Sequence, residues 1–321
     1  MGVVVEKLDF AAAAQVDRHG LYEVATAWAA EDAPDREQAP VEAYIAMWES
    51  RNDLGFEPAR FVVARENGKI VGYAQAEVSE AEANSHLALV TVVVRPRHRR
   101  RGIGTALLRA TPSLLDRQTV IESWSVGPGE PGDHFAAALG FRVVTSMTRQ
   151  RLRLTGPPDV AELPAGYELV TWKGAAPEEF VEAYVEGLNA IAGAPFGETA
   201  LDHAHNTVES IREDEAEALS DRWVVLLLHE GSAAGVTVVE RKSARPEYAE
   251  QLHTVVLPAH RGKGLGLLIK SRMLHELDGV ETVFTRTSSE NVHMLRVNHA
   301  LGYEDQYTYM AVQAKTADLQ A

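Results

Sequence analysis

Short apolar runs and helix-period segments alternate along the second half of the chain in a regular order. A strand over 167–172 precedes helical segments at 177–191 and roughly 204–219. Two apolar runs, 222–229 and 233–240, meet at Gly231-Ser232 and read as a hairpin. The run 250–257 is an apolar strand that stops at Pro258. A helix over 264–277 follows, with Leu267, Leu268 and Leu274 expected on its buried side. A strand over 280–287, a helix over 291–301 stopped by Gly302 and a closing strand over 303–314 complete this half. The first half follows suit, with strands near 60–65, 69–78, 86–95, 120–126 and 141–154 and a loop-led helix at 102–115. Trp28, Tyr44 and Trp48 fall in early helices and read as core rather than as pocket.

The common order has a cause in the sequence. The segment 91–104 recurs as 253–266, with Val93/Val255, Val94/Val256, Pro96/Pro258, His98/His260, Arg99/Arg261, Gly102/Gly264 and Gly104/Gly266 in register at an offset of 162 residues. Leu139-Gly140-Phe141 and Leu301-Gly302-Tyr303 obey the same offset. Two separate matches in one register mark a duplicated domain. Residues 155–166 hold three prolines and two glycines, which break regular elements and suit a linker. The expected organisation is an α/β (α+β) domain over 1–154, the linker over 155–166, and a second copy over 167–321.

Composition narrows the chemistry. The chain has 321 residues, about two average domains, and its 45% hydrophobic residues suffice for two cores. It has no cysteine, which removes disulfides, thiolate metal sites and a cysteine nucleophile. Twelve histidines show no metal-ligand spacing, and His203 and His205, two apart on an expected helix, read as a solvated pair, so no metal is expected. The N-terminus lacks a basic, apolar leader pattern, and no run approaches the ~18 apolar residues of a membrane span, so a cytoplasmic protein is expected. A net charge of −15 disfavours nucleic acid and anionic membranes and tolerates cationic amines. The local exception is the basic run Arg95, Arg97, His98, Arg99, Arg100 and Arg101.

Both copies place Arg-x-x-Gly-x-Gly directly between a strand and a helix. The first turn of a helix carries orphan N–H groups and a partial positive charge. Glycines let backbone approach a pyrophosphate, and flanking Arg or Lys adds charge-assisted contacts. A dinucleotide loop of the G-x-G-x-x-G kind follows the first strand of its domain, whereas this one follows the fourth. A P-loop needs Gly-Lys-Ser/Thr, but Gly104 and Gly266 precede Thr105 and Leu267. A plain tight strand-to-helix turn is the remaining alternative.

Val-x-Pro-x-x-Arg-x-x-Gly-x-Gly, an apolar helix and a later Leu-Gly-Phe/Tyr together resemble the GNAT acyltransferase superfamily, once per half over nearly the whole chain. The architecture is similar to tandem members of the mycothiol synthase type. The resemblance implies, for each domain, a mixed, mostly antiparallel sheet splayed between its fourth and fifth strands and flanked by helices. It implies acetyl-CoA as co-substrate. The pantetheine arm would pair with Val92, Val93 and Val94 in the first copy and with Thr254, Val255 and Val256 in the second. The pyrophosphate would sit on Arg99, Arg100, Arg101, Gly102, Ile103, Gly104 and Thr105, and on Arg261, Gly262, Lys263, Gly264, Leu265, Gly266 and Leu267. Asn291, at the start of the late helix, joins this cofactor set.

The implied reaction is direct attack of a small-molecule primary amine on the thioester. An ammonium has a pKa near ~10, so a base is useful. Glu250 stands at the strand-four position where many members carry a glutamate, and the first copy has Ala88 there. His253 is a second candidate base, and Glu77, Glu80 and Glu82 are candidates in the first copy, acting through water. The usual acid, a late-helix tyrosine, is replaced by Asn298 and Ala136. Asn298 would bond the cofactor or serve packing, and the backbone N–H of Thr254 or Val255 would polarise the carbonyl. Catalysis is therefore expected in the second copy, in a monomer (a pseudo-dimer by duplication) or a homodimer. A non-catalytic acyl-CoA sensor is the alternative.

Overall fold

The computed structural model describes residues 2–320 apart from 33–38, 52–54, 157, 194–195, 203–204, 218–219 and 243–244. His203 lies outside the described residues. The chain divides into two compact units, but not at the expected linker. Unit 1 is Met1–Val144 with Glu198–Asp202 and Met310–Ala321, and unit 2 is Thr145–Gly197 with His203–Tyr309.

Unit 1 contains β1 (Val4–Leu8), α1 (Gln15–Asp32), α2 (Val41–Glu49), β2 (Arg60–Glu66), β3 (Lys69–Val78), β4 (Leu87–Val94), α3 (Ile103–Ala110), β5 (Val120–Val126) and α4 (Pro131–Ala138). Its sheet runs β1-β2-β3-β4-β5 and is completed by the end of β12 (Glu304–Lys315), which pairs antiparallel with β5 from Met310↔Val126 to Lys315↔Val120. Only β4 and β5 are parallel. The alternation of strand side chains splits the core in two. Phe61, Val63 and Tyr73 pack under Leu21, Val24 and Trp48 of α1 and α2. On the other face Val62, Ala64, Ala74 and Val90 pack under Ile103, Leu107 and Leu108 of α3. Leu107 is fully buried, and Leu107→Ala would cost roughly 2–5 kcal/mol.

Unit 2 contains most of β6 (Arg142–Arg153), β7 (Tyr167–Lys173), α5 (Val181–Asn189), α6 (Val208–Glu217), β8 (Ser220–His229), β9 (Ser232–Lys242), β10 (Tyr248–Val256), α7 (Leu265–Glu276), β11 (Thr282–Ser288) and α8 (Val292–Ala300). Its strand order is β6-β11-β10-β9-β8-β7, with β10 and β11 parallel. Val224, Leu226 and Val236 face α5 and α6, while Val225, Leu227, Val239 and Val283 face α7. The buried side of α7 is Leu265, Leu268, Ile269, Met273 and Leu274. Leu267 is instead 36% exposed, one position off the expected stripe.

Each unit thus takes its sixth strand from the other half of the sequence. Residues 147–153 of β6 pair with β11, and residues 310–315 of β12 pair with β5. The two closing strands come from equivalent places in the repeat, and so do the two sheet edges that receive them. Local pattern carries no information about which edge each strand joins.

Glycine has two clear duties here. The β2–β3 and β8–β9 hairpins turn on Asn67-Gly68 (φ 53 and 78) and Glu230-Gly231 (φ 51 and 82), one residue before the expected Gly231-Ser232. Two successive positive φ values are the type I′ signature that suits a hairpin's twist. Gly72 and Gly235 each face the end of the fourth strand, where a Cβ would come within 2.9 Å of the carbonyl oxygen of Val93 or Val255. Only glycine permits that approach.

Candidate functional site

The two glycine loops have the same backbone. Gly102 (φ 76) and Gly264 (φ 74) are the left-handed residues that open α3 and α7. Arg100 (φ 62) and Gly262 (φ 78) share a second left-handed position, occupied in unit 1 by a residue other than glycine. The conserved-offset arginines brace the loop. Arg99 Nε donates to the Val94 carbonyl at 3.2 Å, and Arg261 Nε to the Val256 carbonyl at 3.0 Å. The side chains of Ile103 and Leu265 are buried core, so the loop's contribution to an anion is its first-turn amides.

The charges around the loops differ. Arg101 bonds Glu66 at 2.5 Å, and Glu66 also lies 3.3 Å from His98. The Arg101 hydrogen bond holds the Glu66 carboxyl below its usual range. In unit 2 Lys263 donates to the Tyr167 hydroxyl at 2.9 Å, and that hydroxyl bonds His260 Nδ1 at 2.9 Å. Burial, with His229 and Lys263 nearby, lowers the pKa of His260. The loop cation of unit 2 therefore rests on a neutral partner, whereas that of unit 1 rests on a carboxylate.

Behind each loop the parallel strands part. In unit 1 the pairing is Leu87↔Val120, Ala88↔Ile121 and Leu89↔Glu122, and it ends there, although β4 continues to Val94. Val90, Thr91, Val92 and Val93 all line a cavity of about 540 Å³ in this fork. Successive strand residues point to opposite faces, so the cavity follows the open backbone edge of β4 and reaches both faces of the sheet. Val92 and Val93 line this cavity, and Val92 and Val94 both pack against the α3 core. On the α3 side the cavity is closed by Leu108, Ala136 and Val312.

In unit 2 the pairing ends at Gln251↔Thr285, and β10 continues to Val256. Leu108, Ala136 and Val312 have Lys270, Asn298 and Gln150 as their counterparts at the 162-residue offset. These three form a closed polar network. Lys270 Nζ donates to Asn298 Oδ1 at 2.6 Å, and Asn298 Nδ2 donates to Gln150 Oε1 at 2.7 Å and to Thr287 Oγ1 at 3.1 Å. Gln150 Nε2 continues to Asp305 Oδ1 at 2.7 Å, which also bonds His299 Nε2 at 2.8 Å. Lys270 is 1% exposed and lies 4.9 Å above the Tyr303 ring, and burial pushes its pKa down to about 7.

Several expected site residues are already engaged. Asn298 is fully buried and its amide is engaged in this network. Asn291 caps α8, its Oδ1 accepting from the Met294 N–H at 3.1 Å. Glu250 lies one residue before the fork of unit 2, where Arg149 bonds it at 2.5 Å and Arg286 approaches to 3.4 Å. Both guanidiniums therefore engage the carboxylate in this structure. His253 stands at a β-bulge between β10 and β9, and its carbonyl accepts from Thr237 Oγ1 at 3.1 Å.

Other residues join the site that the sequence placed elsewhere. Trp28 and Tyr44, expected as core, are half-buried and line the unit 1 cavity, and fully buried Trp48 touches it from the core. Trp124 of β5 lines it too, its Nε1 donating to Glu122 Oε2 at 3.1 Å. Glu122 is fully buried and also accepts from Thr199 Oγ1, the Ala200 N–H and Gln313 Nε2 at 2.6–2.8 Å. Three of those donors come from chain segments that unit 1 borrows from the second half, so no local motif announces the hub. Gln75 lines the cavity and donates to Glu77 at 2.8 Å, and Glu130 lines it just before α4.

Comparison with known proteins fits this geometry. Residues 21–141 match the model of the Acetyltransferase (GNAT) family. A mycothiol acetyltransferase of Frankia casuarinae is 30% identical over 257 residues, covering 74% of this chain and 69% of the relative. One from Rhodococcus erythropolis is 27% identical over 263 residues, covering 79% and 84%. Among solved structures, a tandem GNAT protein from the clavulanic acid biosynthesis pathway superposes with a TM-score of 0.72 at 26% identity, covering 98% of this chain and 99% of that one. A GCN5-related N-acetyltransferase from Sphaerobacter thermophilus shares the fold, with a TM-score of 0.70 at 16% identity over 98% and 96% of the chains. The duplicated glycine loops, the forked sheets and these relatives agree: the chain belongs to the GNAT acetyltransferase family, as a tandem N-acetyltransferase.

Proposed function

We propose that this chain transfers an acetyl group from acetyl-CoA to a small-molecule primary amine, and that the transfer takes place in unit 1. The observation that carries this reading is the cavity of about 540 Å³ in the unit 1 fork, which joins the open edge of β4 behind the Gly102 loop to the face covered by α1 and α2. A thioester arm laid along that edge finds unpaired backbone groups on β4, and an acceptor reaches the same carbonyl from the opposite face. A β4 N–H pointing into the fork is the donor for the developing oxyanion. The amine nitrogen forms the new C–N bond, the C–S bond breaks, and the thiolate leaves with the proton the nitrogen loses.

The sequence pointed to unit 2 through Glu250, and the position of Glu250 beside the fork keeps that reading as the alternative. Against it stand the two guanidiniums on Glu250 and the network of Lys270, Asn298 and Gln150 in the fork. The names of the mycothiol acetyltransferase relatives offer one acceptor to try first, the amine precursor of that thiol. The test is thiol release from acetyl-CoA with an amine panel, on the parent chain and on Ala136→Trp and Glu250→Gln. Loss of turnover only in Ala136→Trp supports unit 1; loss only in Glu250→Gln moves the chemistry to unit 2.

A further inference from the structure

Resting on the assignment of transfer to unit 1, the inner end of its fork bears on the length of acyl group it takes. β4 runs from its last pair with β5, Leu89↔Glu122, outward to Val94, and the Gly102 loop follows. A pyrophosphate held at that loop sends its arm inward along β4, with the thioester towards the point where the two prongs join. The cavity residues nearest that point are Val90 and Thr91 on β4 and Ser123 and Trp124 on β5. Trp124 is the one large side chain among these four. Val90 and Ile121 pack in the α3 core, so strand alternation turns Thr91 and Glu122 to the face of α1 and α2.

Backbone pairing alone does not fix the Trp124 ring. On one side the ladder with β4 has already ended. On the other, β12 pairs Met310↔Val126 and Val312↔Ser123, so Trp124 and Ser125 together oppose Ala311. Such a bulge bends the strand and re-aims a side chain. The ring is held by a side-chain bond instead, Trp124 Nε1 donating to Glu122 Oε2 at 3.1 Å.

Glu122 is itself held from several directions. It is fully buried, with Thr199 Oγ1 donating to Oε2 at 2.7 Å and the Ala200 N–H and Gln313 Nε2 donating to Oε1 at 2.6 and 2.8 Å. Four donors fill the acceptor sites of a carboxylate, and a glutamine amide would set its own N–H groups against two of them. Residues 198–202, which bring two of these donors, are fastened at both ends. The Glu198 N–H donates to the Val144 carbonyl at 2.7 Å, and the Asp202 N–H to Oδ1 of buried Asn84 at 2.8 Å.

We propose that Trp124 determines the acyl length accepted by the unit 1 fork, and that Glu122 is its positioning residue. The indole closes the space into which an acyl chain extends, so acetyl fits and a longer chain meets the ring. Turning the ring aside takes a donor from a buried carboxylate oxygen, and that loss opposes the movement.

The experiment uses the full chain and calorimetry with CoA, acetyl-CoA and butanoyl-CoA. The parent is expected to prefer acetyl-CoA to butanoyl-CoA by at least about tenfold, the scale set by a surplus methylene in a fitted pocket. Trp124→Ala is expected to bring the two within about twofold by tightening butanoyl-CoA, with the affinity for CoA itself unchanged. Glu122→Gln is expected to shift the ratio the same way, and to add less than about twofold in the Trp124→Ala background, because both act through one ring. Val62→Ala, a core change on β2, lowers stability and is expected to leave the ratio at the parent value. A ratio that Val62→Ala moves as far as Glu122→Gln does would overturn the positioning role. A parent that takes butanoyl-CoA as readily as acetyl-CoA, or a ratio that ignores Trp124→Ala, overturns the acyl-length role. Ala136→Trp separates the two levels. If it lowers acetyl-CoA binding and turnover while the ratio ignores Trp124→Ala, only this inference falls. If it leaves both at the parent level, the assignment to unit 1 falls as well.

Discussion

The two forks of this molecule contrast most sharply at three positions. Unit 1 has Leu108, Ala136 and Val312 where unit 2 has Lys270, Asn298 and Gln150. The backbones agree: both forks open after a short parallel pairing, and both lie behind a helix begun by a left-handed glycine. The contents do not. Leucine, alanine and valine have no hydrogen bonds to satisfy and line a cavity, whereas the buried lysine, asparagine and glutamine bond one another and pass the network on to Thr287 and Asp305. Duplication preserved the loop and the fork, and the side chains at these positions give the two forks different linings.

The sharpest way to break this comparison is to fill the open fork. Ala136→Trp puts an indole into the wall of the cavity and is expected to lower acetyl transfer at least ~10²-fold, since small displacements of a reacting group cost that much. Turnover and the heat of acetyl-CoA binding are measured together, and turnover near the parent level would sink the unit 1 assignment.

Breaking the polar network of unit 2 acts on stability instead. Asn298→Ala strands the Lys270 amine, at about 1–3 kcal/mol for a buried group left unsatisfied, and leaves Gln150 Oε1 with Thr287 alone. Urea unfolding reads this, and acetyl transfer should stay within about threefold of the parent.

A smaller effect distinguishes the buried amine from a neutral filler. The pKa of Lys270 falls from 10.5 to about 7 on folding, so protonation favours the unfolded chain. The unfolded state binds the proton that the folded state lacks, and stability therefore rises with pH from about 7 towards 10.5. Thermal melts across that window should show the parent gaining on Lys270→Met as pH rises. Parallel curves would mean that the amine keeps its charge in the fold.

The loops offer a milder contrast. Glu66→Gln releases Arg101 from its carboxylate and should tighten CoA binding about two- to threefold at low salt, fading at high salt. Titration at two ionic strengths measures it, and weaker binding in the variant would show that Glu66 positions the loop. Smallest of all is Glu250→Gln, expected to change turnover by less than about threefold; a fall of 10²–10⁴-fold is the signature of a lost general base and would reverse the comparison.

Much of this was legible along the chain. Period and punctuation located most strands within a residue or two, because apolar alternation must match the pleat whatever surrounds it. Early helices were anticipated, and Trp28 and Tyr44 pack against the core as expected but also line the cavity: an aromatic residue on an amphipathic helix looks the same whether it seals a core or walls a cavity. Asn298 and Glu250 drew attention by their places in the motif. Their partners, Gln150 and Arg149, lie on a strand from the other half of the sequence and have no motif of their own.

The sequence by itself determined the duplication, the two glycine loops and the family, since each is written in local spacing: glycines and arginines at fixed distances and one offset of 162 residues. Only the tertiary structure decided which half supplies each closing strand, that Glu122 anchors Trp124, and that one fork is lined by an apolar cavity and the other by a buried polar network. Those outcomes depend on side chains brought together from 28 to 191 positions apart, and hydrogen-bond saturation in a buried space is a property of the assembled set that no single residue carries.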